Sequence, residues 1–365
     1  MAVSSDAIVK QLLQEIGNQG KLKLRIFPED NKSDQNPWIQ GGLSFGRTDL
    51  LYGSCDGVWH REEKWTDPSN NVTVNFKPVV AVEGTLALER GSTGSAQYQR
   101  FFHALGAVMN GVIGVYYLRQ QKKHIYRGEE ISSKMRYDLP MAALNASEIH
   151  GIHYLVITDI DDLRRLIVAL GEEKFNEADK IIQGIKEKMK NYFYSNAPES
   201  YKNLDRYCEG RSIARDSSGN FIKILSTDYR NLTLSEKRGG HILLGEYFIA
   251  KYMLKSSLIM FLPRLSKEDI QKLNKSDKKE WKILWHESDG MVLTVDDFDG
   301  ISEDIKLRIR SLKYAVLKSG SGDKEEWFRI VDELLNGLRD GKISVKKDFK
   351  PPTLQRVKVK SLLEF

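Results

Sequence analysis

The feature that most constrains the fold is an acidic residue inside a strand-like apolar run. Glu83 interrupts the run Pro78–Thr85, and Asp56 interrupts a second run, Tyr52–Trp59. A charged side chain at such a position is costly to bury unless it meets a partner. Two converging carboxylates are most simply satisfied by a divalent cation, because hard cations prefer oxygen ligands. The pair therefore predicts neighbouring strands that share a metal site.

Helix and strand periodicities alternate along the first half of the chain. Apolar residues at positions 9, 12, 13 and 16 recur with helical spacing. Runs of β-branched and aromatic residues alternate with such segments, which predicts an α/β (mixed α+β) fold with a central mixed sheet flanked by helices. The first predicted elements are a helix over 6–17, a strand over Thr48–His60 that is broken near Gly53, and a strand over Val72–Leu88 that is irregular at Pro78. A helix from Ser95 to Gly111, a strand over Val112–Leu118 and the basic loop Arg119–Arg127 follow. The last are a strand over Tyr154–Thr158, a helix capped by Asp161 or Asp162, and a helix over Phe175–Phe193.

The composition changes near residue 196, which predicts a domain boundary. Residues 1–195 carry the helix–strand alternation, whereas the following segment is polar and rich in arginine. Two later helices are predicted over Ile305–Val316 and Trp327–Leu338, and a basic tail runs from Lys342 to Lys360. We therefore expect a first domain over 1–195 and a second, mixed region over 196–365.

The overall composition is that of an ordinary globular protein. The chain has 365 residues, a net charge of +6 and two cysteines, which suggest neither a zinc site nor a disulfide framework. No apolar stretch reaches the roughly 18 residues that a membrane-spanning helix needs, so no membrane association is expected. The first residues lack the basic and apolar regions of a secretory leader, so we expect a cytoplasmic protein. The mild positive charge permits nucleic-acid binding without requiring it.

Strand geometry places Glu83 on a polar face. Residues two apart in a strand point the same way, so Ala81, Glu83 and Thr85 share one face. Val80 and Val82 face the opposite side, which is expected to be core. A hairpin would bring Asp56 beside Glu83, although an Asp-Gly pair is also a common turn signal. Two carboxylates can hold Mg²⁺ together with several waters, and one of those waters could attack a phosphodiester.

The order of these elements resembles the PD-(D/E)XK nuclease superfamily, and within it the Type II restriction endonucleases. The matching segments are Asp56–Val58 for the first acid and Val80–Thr85 for the segment with the second acid. The segments Gln97–Phe102 and Val112–Leu118 are similar to the helix and strand that follow in that core. The resemblance covers about residues 6–170 and does not extend to 196–365. It implies a Mg²⁺-dependent endonuclease of a restriction-modification system, with Asp56 and Glu83 as metal ligands.

The chain departs from this motif at Thr85, where the family usually has a lysine. That lysine would polarise the attacking water and stabilise developing negative charge, whereas a threonine hydroxyl can only orient the water. Gln97 and Arg100 lie three residues apart on the next helix and are the candidates to assist Thr85. An acid on the first helix assists the metal in some such families, and Glu15 is the candidate, although a solvated helix charge is the simpler interpretation.

The resemblance also implies the partners. The substrate would be double-stranded DNA, and cleavage of both strands predicts a homodimer with two active sites. The C-terminal half would supply sequence recognition and phosphate contacts. The residues predicted to contact DNA are Arg230, Arg238, His241, Lys346 and Lys347.

Two alternatives stay open at the level of sequence. The chain could be a DNA-binding protein that kept a nuclease-like fold and lost the chemistry, which Thr85 favours. It could also be an enzyme of unrelated mechanism with a site in residues 200–300, for instance around His241 and Glu246. Cleavage that depends on Glu83 would separate the first interpretation from both alternatives.

Overall fold

The computed structural model divides the chain into two compact units, Met1–Ala197 and Pro198–Phe365. The division lies close to the boundary predicted at residue 196. Each unit is considered by itself. The residues that the structure describes are 5–26, 44–47, 50–66, 73–86, 92–119, 124–126, 129–131, 135–199, 213–215, 221–226, 248–249, 251–253, 255, 257–265, 290–295 and 314–319.

Helices and strands alternate through the described part of the N-terminal unit. In chain order the elements are α1 (Ser5–Ile16), β1 (Lys23–Ile26), β2 (Ser44–Arg47), β3 (Leu50–Ser54), β4 (Gly57–Arg61), β5 (Trp65–Thr66), β6 (Thr73–Val74), β7 (Lys77–Leu86), α2 (Ser92–Met109), β8 (Ile113–Arg119), β9 (His124–Tyr126), β10 (Glu129–Ile131), α3 (Asp138–His150), β11 (Tyr154–Ile157), α4 (Ile160–Gly171) and α5 (Phe175–Asn196).

A five-stranded mixed sheet forms the centre of this unit, with the spatial order β1-β4-β7-β8-β11. Strand β4 pairs antiparallel with β1 and β7, whereas β8 pairs parallel with β7 and β11. Parallel neighbours need a crossover connection, and α2 supplies it between β7 and β8. The α/β class with a mixed sheet flanked by helices, predicted from the sequence, is therefore confirmed.

The two faces of the sheet are covered by different helices. A Cβ on Gly84 would lie 2.4 Å from Cγ1 of Val9, so α1 packs against the face to which Gly84 belongs. A Cβ on Gly114 would lie 2.6 Å from the carbonyl oxygen of Ala104, so α2 packs against the other face. Only a residue without a side chain permits backbone and helix to approach this closely. Both helices are thus held within a narrow range of distances from the sheet.

The apolar face predicted for α2 lies in the core. Its members, Phe101, Ala104, Leu105 and Val108, are at most 1% exposed. The ring of Phe101 packs against that of Tyr154 with centroids 4.8 Å apart. Burying such a side chain stabilises the fold by about 1.5–3 kcal/mol. The predicted face of α5 is also buried, through Ala178, Ile182, Ile185, Met189 and Phe193.

Several predicted boundaries were wrong. The break in the first strand pair falls at Cys55 and Asp56, not near Gly53, which lies inside β3. Asp56 leaves the regular ladder because its side chain bonds the backbone of β7. Helix α2 begins at Ser92, so Ser95 lies within its first turn rather than capping it.

Other predictions in this unit also need correction. Asp159, rather than Asp161 or Asp162, caps α4, because its side chain accepts the N–H of Asp161 at 3.0 Å. Within the predicted basic loop lies strand β9, which pairs antiparallel with β10 just beyond the loop. Helix α3 was not predicted, since its buried positions include three alanines, which give a weak apolar signal. The irregularity predicted at Pro78 is present as a register shift where His60 meets it.

The C-terminal unit contains a second five-stranded sheet. Its strands are β12 (Ile213–Arg215), β13 (Phe221–Ser226), β14 (Ser257–Leu265), β15 (Gly290–Val295) and β16 (Tyr314–Ser319), in sequential spatial order. Strand β12 is antiparallel to β13, and the other neighbours are parallel.

Two helices were predicted in this unit, and the structure describes part of only one of the two segments. The helix predicted over Ile305–Val316 is wrong at its end, because Val316 lies in strand β16 and pairs with Val292 of β15. The helix predicted over Trp327–Leu338 lies outside the described residues. In the described parts of both units, no helix combines the length and apolarity required to cross a bilayer.

Candidate active site

Asp56 lies at the start of β4, beside the centre of β7. Gly57 pairs with Val82, so Asp56 faces the next position along β7. Its backbone N–H donates to the Val82 carbonyl at 2.8 Å, and its Oδ2 accepts the N–H of Gly84 at 2.8 Å. The carboxylate of Asp56 is thus fixed against the segment that carries Glu83.

Glu83 is a buried carboxylate on β7, with a side chain only 4% exposed. It lies on the α2 face of the sheet, together with Ala81 and Thr85. Arg100 Nη1 of α2 lies 3.3 Å from Glu83 Oε1 and also donates to the Gly84 carbonyl at 2.8 Å. A buried carboxylate requires such a partner, because an isolated charge loses its hydration. Arg100 therefore neutralises Glu83 and is itself held on β7 at two points.

His103 is a second partner of Glu83 that the sequence did not predict. Its Nδ1 lies 3.3 Å from Glu83 Oε1, the same oxygen that Arg100 approaches. The signal was present in the helix: Gln97, Arg100 and His103 recur every three residues, so they project from neighbouring turns of α2. The histidine completes a row of polar side chains along the helix face above β7.

Gln97 and Thr85, the other predicted catalytic residues, are both buried. Gln97 is 1% exposed, and its Oε1 accepts the backbone N–H of Arg136 at 3.0 Å. This bond ties α2 to the segment that enters α3. Thr85 is 8% exposed and pairs with Leu118 of β8, two positions beyond Glu83 on the same strand face. Arg100, rather than Gln97, is therefore the predicted assistant that the structure brings to Glu83.

Tyr116 extends the polar site onto β8. It is the register partner of Glu83 in the parallel pair β7–β8, and it is 0% exposed. Burial raises the pKa of its phenol well above the ordinary value, Arg100 opposes that change and Glu83 adds to it. The hydroxyl therefore stays protonated, and the register of β7 and β8 places Tyr116 opposite Glu83.

Cys55 is a buried thiol next to Asp56 in the chain. Its Sγ lies 3.9 Å from the His103 carbonyl oxygen. Burial raises the pKa of the thiol most, and the charges of Glu83 and Asp56 raise it further. A thiol held in its neutral form is a poor nucleophile. Cys55 therefore belongs to the packing beneath the site rather than to its chemistry.

The donor set of Asp56 and Glu83 is compatible with Mg²⁺. Among the described residues, no group of three His, Cys, Asp or Glu side chains could hold a metal ion. Mg²⁺ does not need such a group, because it commonly binds one or two carboxylates and keeps several waters. Two carboxylates on adjacent strands supply oxygen ligands of this kind.

The remaining predicted residues lie away from this cluster or outside the described residues. Glu15 of α1 is exposed and accepts a hydrogen bond from Gln11 at 3.3 Å. Since α1 covers the opposite face of the sheet, Glu15 does not join Asp56 and Glu83. The predicted DNA contacts Arg230, Arg238, His241, Lys346 and Lys347, like the alternative site around His241 and Glu246, lie outside the residues that the structure describes.

Comparison of the chain with protein-family models, with curated proteins and with solved structures found no match.

Proposed function

We propose that this protein is a Mg²⁺-dependent endonuclease that hydrolyses phosphodiester bonds of double-stranded DNA, in the manner of a Type II restriction enzyme. The observation that carries the proposal is that the Asp56 carboxylate bonds the backbone of Gly84, the residue that follows the buried Glu83 on β7. One carboxylate is fixed by the Gly84 N–H, and the other is buried beneath α2. The antiparallel β4–β7 pair followed by a helix crossover to parallel β8 supports the same function through its resemblance to the nuclease core.

In this mechanism Asp56 and Glu83 would hold the metal ion. Mg²⁺ would supply a Lewis acid for the phosphate and a bound water of lowered pKa. Thr85, on the same strand face as Glu83, orients the attacking water through its hydroxyl. The Gly84 N–H keeps the Asp56 carboxylate turned towards β7 throughout.

Arg100 takes the place of the lysine that the motif usually carries. It brings a permanent positive charge to within 3.3 Å of Glu83 from α2 instead of from β7. A guanidinium matches the geometry of phosphate oxygens and stabilises charge that develops on them. A quarter of its side chain is exposed, so solvent and substrate have access to it. Thr85 and Arg100 would thus supply the two roles of the lysine, orientation of the water and stabilisation of negative charge.

The partners of the proposed enzyme follow from its substrate. Cleavage of both strands of a duplex calls for two active sites, and a symmetric homodimer supplies them. Sequence recognition is assigned to the C-terminal unit, with Arg230, Arg238, His241, Lys346 and Lys347 as the candidate contacts.

A second candidate function is DNA binding without cleavage. It is favoured by Thr85 in place of the lysine, and by the ion pair in which Arg100 already neutralises Glu83. In such a protein Arg100 would do permanently what the metal does in a nuclease. Binding of DNA that needs no Mg²⁺ and yields no products would identify this function.

The test compares the purified chain with its Glu83→Gln and Asp56→Asn variants on plasmid and phage DNA, in Mg²⁺ and in EDTA. We expect discrete fragments that require Mg²⁺, and a loss of at least about a hundredfold in cleavage rate in each variant. Both substitutions keep the shape of the side chain, so DNA binding should persist in a mobility-shift assay. Glu187→Gln, an exposed glutamate on α5, is the matched control and should cleave at the wild-type rate. Undiminished cleavage in Glu83→Gln would reject the assignment.

A further inference from the structure

The hydroxyl of Tyr116 lies buried beside the candidate site without a hydrogen-bond partner. Its oxygen is inaccessible to solvent, and no described residue bonds it. Tyr116 and Glu83 are Cα partners on β8 and β7, and side chains in register on parallel strands point to the same face. Tyr116 therefore lies on the face covered by α2, which also carries Glu83.

Such a hydroxyl requires an explanation. Leaving a buried polar group unsatisfied costs about 1–3 kcal/mol, and most such groups in folded proteins have a partner. A phenylalanine would fill nearly the same volume without that cost. The packing of the ring consequently explains the aromatic side chain but not its oxygen.

The surroundings of the hydroxyl point to an oxygen ligand as its missing partner. Glu83 of β7 is the register partner of Tyr116, and Arg100 of α2 lies 3.3 Å from the Glu83 carboxylate. A phenol hydroxyl is a hydrogen-bond donor at neutral pH. Next to two metal-binding carboxylates, the acceptors that arrive with Mg²⁺ are the waters that the ion retains.

We propose that Tyr116 is a positioning residue that donates a hydrogen bond to a water of the Mg²⁺ hydration shell beside Glu83. This inference rests on the proposed metal-dependent function. It adds to the site a residue of β8 that neither ligates the metal nor contacts DNA. Partners of this kind set the orientation of metal-bound groups, and their removal weakens metal affinity by about 10–100-fold.

The test measures metal binding in the absence of DNA, using Tyr116→Phe and the matched control Tyr117→Phe. Tyr117 is the next residue of β8, is 2% exposed and points to the opposite face of the sheet. The thermal midpoint of each protein is followed in EDTA and across a Mn²⁺ titration, since a bound ion raises the midpoint by an amount that grows with the logarithm of its concentration over its Kd. We expect Tyr116→Phe to bind Mn²⁺ about tenfold more weakly than wild type. Tyr117→Phe should retain wild-type Mn²⁺ affinity.

The midpoint in EDTA provides the second readout. Without metal, Tyr116→Phe should be as stable as wild type or more stable, because the substitution removes an unsatisfied hydroxyl. A clear loss of stability in EDTA would show that the hydroxyl is bonded within the folded chain, and would overturn the proposal.

The remaining outcomes separate this inference from the proposed function. If wild type and Tyr116→Phe bind Mn²⁺ equally while Glu83→Gln does not bind it, the role of Tyr116 is rejected and the metal site stands. If wild type itself is not stabilised by Mn²⁺ or Mg²⁺, the metal site and the role of Tyr116 are rejected together.

Discussion

The two faces of strand β7 differ sharply although they alternate residue by residue. On the α1 face, Val80 and Val82 are buried, and Gly84 lies in close approach to Val9. On the α2 face, Glu83 and Thr85 lie buried under a helix that presents Arg100 and other polar groups. One face therefore contributes hydrophobic burial, whereas the other buries charged groups that lose their hydration and must be paired.

This difference shows that a single strand can contribute to the apolar core on one face and carry the polar candidate site on the other. Because the side-chain period is two, a slip of one residue in register would exchange every side chain between the faces. The close contacts on both faces oppose such a slip, because only a glycine leaves enough room beside Val9 at position 84 and beside Ala104 at position 114. The carboxylate is thereby held on the α2 side by the packing on both sides.

The largest effect is expected from breaking the polar face at Arg100. Arg100→Gln removes the guanidinium that lies 3.3 Å from the buried Glu83 carboxylate, and should lower the free energy of unfolding at pH 7 by about 3 kcal/mol. Urea denaturation measures the change. The control is Arg164→Gln, which removes an exposed pair with Asp161 and should cost less than about 0.5 kcal/mol. Equal losses in the two variants would mean that burial does not set the strength of the Glu83–Arg100 pair.

A somewhat smaller effect is expected on the apolar face. Gly84→Ala places a Cβ 2.4 Å from Val9 Cγ1, and should lower the free energy of unfolding by about 2 kcal/mol. Adding Val9→Ala should recover part of that loss, which a double-mutant cycle detects as a coupling between the sites. Gly184→Ala on the surface of α5 meets no atom within 4 Å and should stabilise the protein slightly. Additive losses at positions 84 and 9 would contradict the packing described for α1.

The smallest effect concerns the pH dependence of stability through His60, at the far end of β4. Burial lowers the pKa of His60 below about 6.5, its value in an unfolded chain, while a hydrogen bond to the Arg61 carbonyl opposes the change. The unfolded state therefore binds the proton more readily, and stability should fall as the pH decreases through 6.5. His60→Gln should reduce the slope of the free energy of unfolding between pH 7 and 5.5. An unchanged slope would assign the pH dependence to other groups.

The sequence predicted the parts of the site that depend on local patterns. The alternation around Glu83 and the apolar face of α2 are encoded by neighbouring residues, so the strand and the helix could be derived from them. Tyr116 and His103 could not, because their proximity to Glu83 depends on the register of β8 and on how α2 docks. Gln97 was predicted at the site, yet its bond to the Arg136 backbone depends on a segment 39 residues away.

Boundaries failed where side chains bond the backbone. The break at Asp56 and the cap at Asp159 both arise from a carboxylate that accepts a backbone N–H. Several acids near each position could have done so, and only the folded geometry selects one. Residue types therefore indicate that a cap or break is near, whereas tertiary contacts fix its position.

The break at Cys55 and Asp56 has a mechanical consequence. Strand β3, which ends at Ser54, pairs with β2 in a separate two-stranded sheet, whereas β4 begins at Gly57 in the main sheet. The chain thus passes from one sheet to the other within two residues, and Asp56 is the second of them. Glu83, by contrast, lies in the middle of β7. The two hydrogen bonds of Asp56 to Val82 and Gly84 therefore anchor the junction between the two sheets to β7.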